Sequence, residues 1–135
     1  MVNGREVRRI ASIASSLVIL ALCFPAHQGV ASERIVVDYR RGGYVHQHIQ
    51  QAELWLKQGV QVVVADSQMS AAAIQVVYFG GRGGRICVKP GVSLYFHPGR
   101  SRGGARTNPT LRYLGVSLPE GWYDPSRFGL KICSR

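Results

Sequence analysis

Residues 35–65, IVVDYRRGGYVHQHIQQAELWLKQGVQVVVA, decide the fold class. Ile35 to Tyr39 reads as a short buried strand, ended by Arg40-Arg41-Gly42-Gly43. From Tyr44 to Gln58 the apolar positions Val45, Ile49, Ala52 and Leu56 step by four, three and four, which puts them on one face of a helix. Gly59 stops that helix. Val60 to Ala65 is a β-branched run of the kind shown by a parallel strand buried on both faces. Strand, helix and strand in about 30 residues make a βαβ unit, so the sequence predicts an α/β domain with a small, mostly parallel sheet of about four strands.

Towards the C-terminus the pattern continues and then weakens. Asp66 to Met69 is a polar turn, and Ser70 to Phe79 is a run of small and apolar residues that suits a tightly buried helix. Gly80-Gly-Arg-Gly-Gly84 breaks regular structure and lacks the lysine and Ser/Thr ending of a phosphate-binding loop. Arg85–Val88 and Val92–Phe96 read as two more strands joined by a Lys89-Pro90-Gly91 turn. Pro98 to Pro109 is a Gly/Arg-rich loop, followed by a short helix near Thr110 to Leu114 and an aromatic cluster of Trp122, Tyr123 and Phe128.

Towards the N-terminus, residues 1–31 read as a secretory signal. Arg5, Arg8 and Arg9 precede an apolar stretch from Ile10 to Phe24, and Gly29-Val30-Ala31 offers small residues for cleavage. The apolar stretch is shorter than the ~20 residues of a membrane span, so no stable span is expected once the signal is removed. The expected product is an exported protein, periplasmic or secreted, starting near Ser32. Of the 135 residues this leaves about 104, enough for one domain with one core. The formal charge of +10 falls to +8 when Arg5, Arg8, Arg9 and Glu6 leave with the signal. A surface this basic favours anionic partners, with Arg100, Arg102 and Arg106 of the glycine-rich loop as the candidate contact residues; the alternative is a solvated loop on a basic protein that has no specific polyanion ligand. No nucleic-acid-binding motif accompanies them, and no nucleic acid is expected.

Of three cysteines, Cys23 lies in the signal. Cys87 and Cys133 remain, an even pair in an oxidising compartment, which predicts a disulfide between a central strand and the tail. The alternative is one buried thiol and one thiol on a frayed end. His46 and His48 stand two apart on a helix and diverge by about 200°, so they do not grip one ion together and are read as solvated. Neither a metal nor a cofactor is expected.

Three spots carry the residue types that acyl transfer needs. Ser70 stands where a strand end meets a helix start, so the amides after it point at any bound oxyanion; the plain alternative is an N-cap. His97 follows a strand and suits a general base, or else a structural strand-end histidine. Gly42-Gly43 permits an amide to approach an oxyanion, or only turns the chain.

The run from Ile35 to His97 resembles the Clp protease proteolytic subunit and crotonase superfamily, and more closely its small exported Clp-like relatives. The matching residues are Arg41-Gly42-Gly43, Val62-Val-Val-Ala-Asp-Ser-Gln-Met-Ser70-Ala-Ala-Ala, Arg85-Ile-Cys-Val-Lys-Pro90 and Leu94-Tyr-Phe-His97. The resemblance implies a truncated ββα spiral core and a Ser70 nucleophile with His97 as general base. It also implies an oxyanion hole from the amides of Gly42 and Ala71. Asp124, the only aspartate after His97, takes the acidic position, nearer the histidine than the family's acid. Arg41 replaces the proline before the glycines, and Gln68 and Ala72 stand where exported relatives carry cysteines. The expected function is that of a serine-hydrolase-like or peptidase-like protein acting on a peptide or other acyl substrate, with homo-oligomers known among relatives of this fold. The competing reading is a catalytically lapsed member of the same fold, a basic binding or structural protein of the periplasm.

Overall fold

Residues 33–135 are described by a computed structural model and fall within one compact unit. The expected signal, with Cys23, lies outside the described residues. In chain order the elements are β1 (Arg34–Val37), α1 (Val45–Gln58), β2 (Gln61–Val64), β3 (Gln68–Met69), α2 (Ala71–Gly81), β4 (Arg85–Val88), β5 (Leu94–Phe96), β6 (Gly99–Arg100), β7 (Arg106–Thr107), α3 (Pro109–Leu114), β8 (Gly121–Tyr123), a 3₁₀ turn (Pro125–Phe128) and β9 (Lys131–Ile132).

The β-branched run Val60–Ala65 supplies β2, a central strand of a four-stranded sheet in the order β1-β2-β4-β9 with every neighbouring pair parallel. β1, expected to be buried, lies instead at the sheet edge with Val36 exposed. Val62, Val63 and Val64 of β2 are almost wholly buried, as a central parallel strand covered on both faces must be. Burial of each such side chain contributes about 1.5–3 kcal/mol before entropy is set against it. A second, three-stranded sheet runs β3-β5-β8, with β3 and β5 parallel and β8 antiparallel to β5.

The chain repeats one move three times. A strand of the four-stranded sheet leads to a short extended segment and then to a helix: β1, Arg40 and α1; β2, β3 and α2; β4, β5 and, after the β6–β7 hairpin, α3. Arg40 bridges Gln68 in parallel and β3 pairs β5 in parallel, so the three short segments lie side by side and point the same way. The mixed α/β architecture and the mostly parallel principal sheet agree with the reading of the sequence.

The helices follow their composition. In α1 the residues nearest the core are Ala52 and Trp55, with Val45, Ile49 and Leu56 partly buried. Trp55, which the four-three-four spacing omits, stacks edge-on against Phe79 of α2 at 5.8 Å. In α2 Ala71, Ala72 and Ala73 are fully buried along with Ile74, Val76 and Phe79, and the small residues let neighbouring backbones approach closely.

Several boundaries differ from the sequence expectation. The fourth strand of the main sheet is the tail strand β9, and the expected strand Val92–Phe96 shortens to β5 and joins the second sheet instead. The Asp66–Met69 turn contains β3, the Gly80–Gly84 breaker begins inside α2, and the Gly/Arg loop folds into the β6–β7 hairpin. The expected disulfide is present: Cys87 of β4 bonds Cys133 just past β9, with Cα atoms 4.8 Å apart. Among the described residues no helix is long and apolar enough to cross a membrane.

Candidate active site

The parallel alignment of Arg40, β3 and β5 brings three chain segments out at one end. Arg41-Gly42-Gly43 leaves on one side, Ser70 in the middle and His97 on the other. Ligands of open α/β sheets bind in this kind of crevice, outside the carboxyl ends of parallel strands. Three sites quoted from separate stretches of sequence thus converge.

Ser70 is held by backbone bonds, its N–H donating to Tyr95 O at 2.7 Å and its carbonyl accepting from Ile74 N at 3.0 Å. Its φ of 53° and ψ of −118° make it the one non-glycine residue with positive φ among the described residues. An L-residue held there stores about 1–3 kcal/mol of strain, which the surrounding structure must impose. The alternative of a simple N-cap does not hold in this geometry, because the Ser70 side chain makes no capping hydrogen bond. The sharp strand-to-helix turn instead pushes its hydroxyl outward, as a nucleophile elbow does.

Gly42 packs against that hydroxyl. A Cβ built on Gly42 would lie 2.8 Å from Ser70 Cβ, 2.9 Å from Ser70 Oγ and 3.7 Å from Ala71 N, distances that a side chain does not tolerate. Among the described residues the amides of Gly42, Gly43 and Ala71 donate no hydrogen bond. Gly42, Ser70 and Ala71, expected together from the sequence, are therefore neighbours, with unengaged amides at the base of the hydroxyl.

His97 and Ser70 line the same cleft of about 740 Å³. No hydrogen bond joins the two side chains among the described residues. His97 Nδ1 lies 2.7 Å from Pro98 O, and because a carbonyl only accepts, Nδ1 carries a hydrogen, which in the neutral ring leaves the lone pair on Nε2. The backbone thus sets the tautomer that a general base requires. It supplies no negative charge to stabilise an imidazolium.

Asp124, the acid expected at the third position, lies elsewhere. In the β5–β8 register Leu94 faces Tyr123 and Phe96 faces Gly121, so Asp124 follows the end of the pair remote from His97. Its carboxylate caps the 3₁₀ turn, accepting from Ser126 N at 2.8 Å. Hydrogen bonds from Ser126 hold its carboxyl below the ordinary aspartate range. The carboxylate at the His97 end is Glu120, which shares a shallow depression of about 190 Å³ with His97. Glu120 Oε1 accepts from Tyr95 OH at 2.6 Å and raises the Tyr95 pKa. A glutamate across an antiparallel pair becomes visible only once that pairing is known.

The chain returned no match against models of known families, curated proteins or solved structures. The site's chemistry therefore rests on its own geometry.

Behind the glycines lies a polar network that the sequence reading missed. Arg40 Nε donates to Gln68 Oε1 at 2.9 Å, and its Nη1 donates to Gln75 Oε1 at 3.0 Å. Gln68 Nε2 donates to the carbonyls of Asp38 and Asp66. Gln68 and Gln75 are fully buried, and burial pushes the Arg40 pKa down from its ordinary value. His48, expected to be solvated, instead lies 2.7 Å from Gln75 Oε1 through Nδ1. The network ties the segment before Gly42 to the turn before Ser70 and to α2. The signal for it was Gln75, the one polar residue between Ala71 and Val77.

The cationic residues also divide. Arg100, Arg102 and Arg112 line the large cleft with Ser70, whereas Arg106 lines the two smaller hollows beside His97. Arg112, on α3, was not singled out from the sequence.

Proposed function

We propose that the chain is an exported serine-hydrolase-like protein of the Clp and crotonase type, in which Ser70 attacks an acyl carbonyl. The observation that carries this reading is the positive φ of Ser70 with Gly42 packed on its hydroxyl. Strain of that kind persists where a side chain must be presented in one direction. The threefold strand, short segment and helix repeat supports the spiral core that the resemblance implies.

In this mechanism Ser70 Oγ attacks the carbonyl carbon while its proton passes to His97 Nε2. The amides of Gly42 and Ala71 donate to the oxygen that becomes negative. His97 then returns the proton to the leaving group, and water releases the acyl group from Ser70 by the same steps. Pro98 O holds the Nδ1 hydrogen throughout. A backbone carbonyl orients the ring but does not neutralise it, so slow turnover is expected relative to a triad with a carboxylate.

The test is labelling of the oxidised chain, residues 32–135, with a fluorophosphonate probe. Labelling is expected in the wild type and is expected to vanish in both Ser70→Ala and His97→Ala. The reading of a lapsed, binding-only protein draws on the displacement of Asp124 from His97, and a folded wild-type chain that takes no label decides for it.

A further inference from the structure

The cleft that holds Ser70 is one-sided in charge. Arg100 on β6, Arg102 in the following turn and Arg112 on α3 line it, and none of its lining residues is Asp or Glu. All three are solvent-exposed. The one salt bridge among the described residues joins Arg82 to Glu53, on other elements, so the cleft arginines have no carboxylate partner in the fold. They come from two separate elements, and α3 is fixed at its start by Asn108, whose side chain accepts from Leu111 N at 3.1 Å. Tyr44 and Tyr113 add aromatic wall, and Arg112 lies over the Tyr113 ring at 5.2 Å.

From this arrangement we infer that the substrate of the Ser70 site is an acidic peptide segment, whose Asp or Glu side chains engage Arg100, Arg102 and Arg112 while a backbone carbonyl reaches Ser70. The inference rests on the hydrolase reading for the fate of the peptide, and on the cleft alone for its binding. Guanidinium groups match carboxylates in two-point geometry, and exposed arginines that have no carboxylate partner in the fold are free to take one from the ligand. The paired amides beside Ser70 suit an acyl oxygen. A cleft of about 740 Å³ lies within the range of sites that enclose a ligand of several residues' bulk.

The experiment uses Ser70→Ala, residues 32–135 with the disulfide formed, and fluorescence anisotropy of labelled octapeptides. One peptide alternates Glu with Ala and the other alternates Gln with Ala; single-stranded dT8 is the third probe. The Glu peptide is expected to bind at least 10-fold more tightly than the Gln peptide, with the preference shrinking as salt rises. The preference is expected to disappear in Arg100→Gln/Arg112→Gln and to survive in Arg34→Gln, which lies on β1. Equal binding of the two peptides, survival of the preference in the double variant, or tighter binding of dT8 overturns the inference. Fluorophosphonate labelling of the wild type is run in parallel. A Glu preference without Ser70 labelling keeps the acidic-peptide site and removes the hydrolase reading, whereas labelling without a Glu preference does the reverse.

Discussion

At Ser70 the backbone conformation and the chemistry can be separated by two substitutions. Glycine adopts a φ of 53° without penalty, whereas alanine keeps the strain, so Ser70→Gly is expected to be more stable than Ser70→Ala by about 1 kcal/mol. Chemical denaturation of the two variants measures the difference, and equal midpoints would remove the strain argument. Gly42 offers the complementary test. A methyl group there meets Ser70 Oγ, so Gly42→Ala is expected to lower the labelling rate by about 10²-fold, the scale of losing an oxyanion donor. Gly43→Ala is expected to be mild, because its Cβ would approach only His48 atoms at 3.5 Å and beyond. The convergence of Ser70, His97 and Gly42 at one end of the sheet was legible from their places at the ends of strands and before helices. Asp124 was not, because its expected role followed from being the last aspartate in the chain. Its actual role, a cap bonded to Ser126, depends on a local turn.

At the scale of elements, α1 and α2 are joined by Glu53 and Tyr78, whose hydroxyl donates to Glu53 Oε1, with Arg82 at 3.3 Å from the same oxygen. The Tyr78 hydrogen bond, first, and the Arg82 charge hold the Glu53 carboxyl below its ordinary range, and Glu53 raises the Tyr78 pKa. A lowered acid stabilises the fold above its unfolded pKa, and a raised phenol stabilises it below its own. The pair therefore contributes fully between about pH 4.3 and pH 10, and its contribution fades on both sides. The thermal midpoint of Tyr78→Phe is expected to fall below wild type inside that window and to converge with it outside. A constant offset at all pH values would contradict the pairing. Helix periodicity made α1 legible, the run of small and apolar residues gave α2, and the β-branched runs gave β1 and β2. Two-residue strands such as β3 and β9 carry too few side chains to show a period, and their assignment came from the partners they meet. Gly84 is a related case: it looks like a chain breaker, yet a Cβ there would lie 2.5 Å from the Phe79 ring. Packing, more than flexibility, excludes a side chain at that position.

At the scale of the whole molecule, the Cys87–Cys133 bond closes a sequence separation of 46 residues. On the loop-entropy account its removal costs about 4 kcal/mol, a large share of the stability typical of a domain. Cys87→Ala/Cys133→Ala is therefore expected to shift the urea midpoint strongly downward, and an unchanged midpoint would show that the tail adds nothing to the sheet. The sequence predicted the covalent pair from compartment and count, but not that the tail becomes a strand. That strand has a second consequence. β9 is short, Ile132 is 58% exposed, and Cys133 N donates to Val88 O, so β9 occupies the side of β4 that would otherwise present open backbone groups. A chain whose bond is reduced would offer that side as a template for another molecule's strand. Its first failure would then be self-association that grows with concentration, before the remainder of the sheet comes apart.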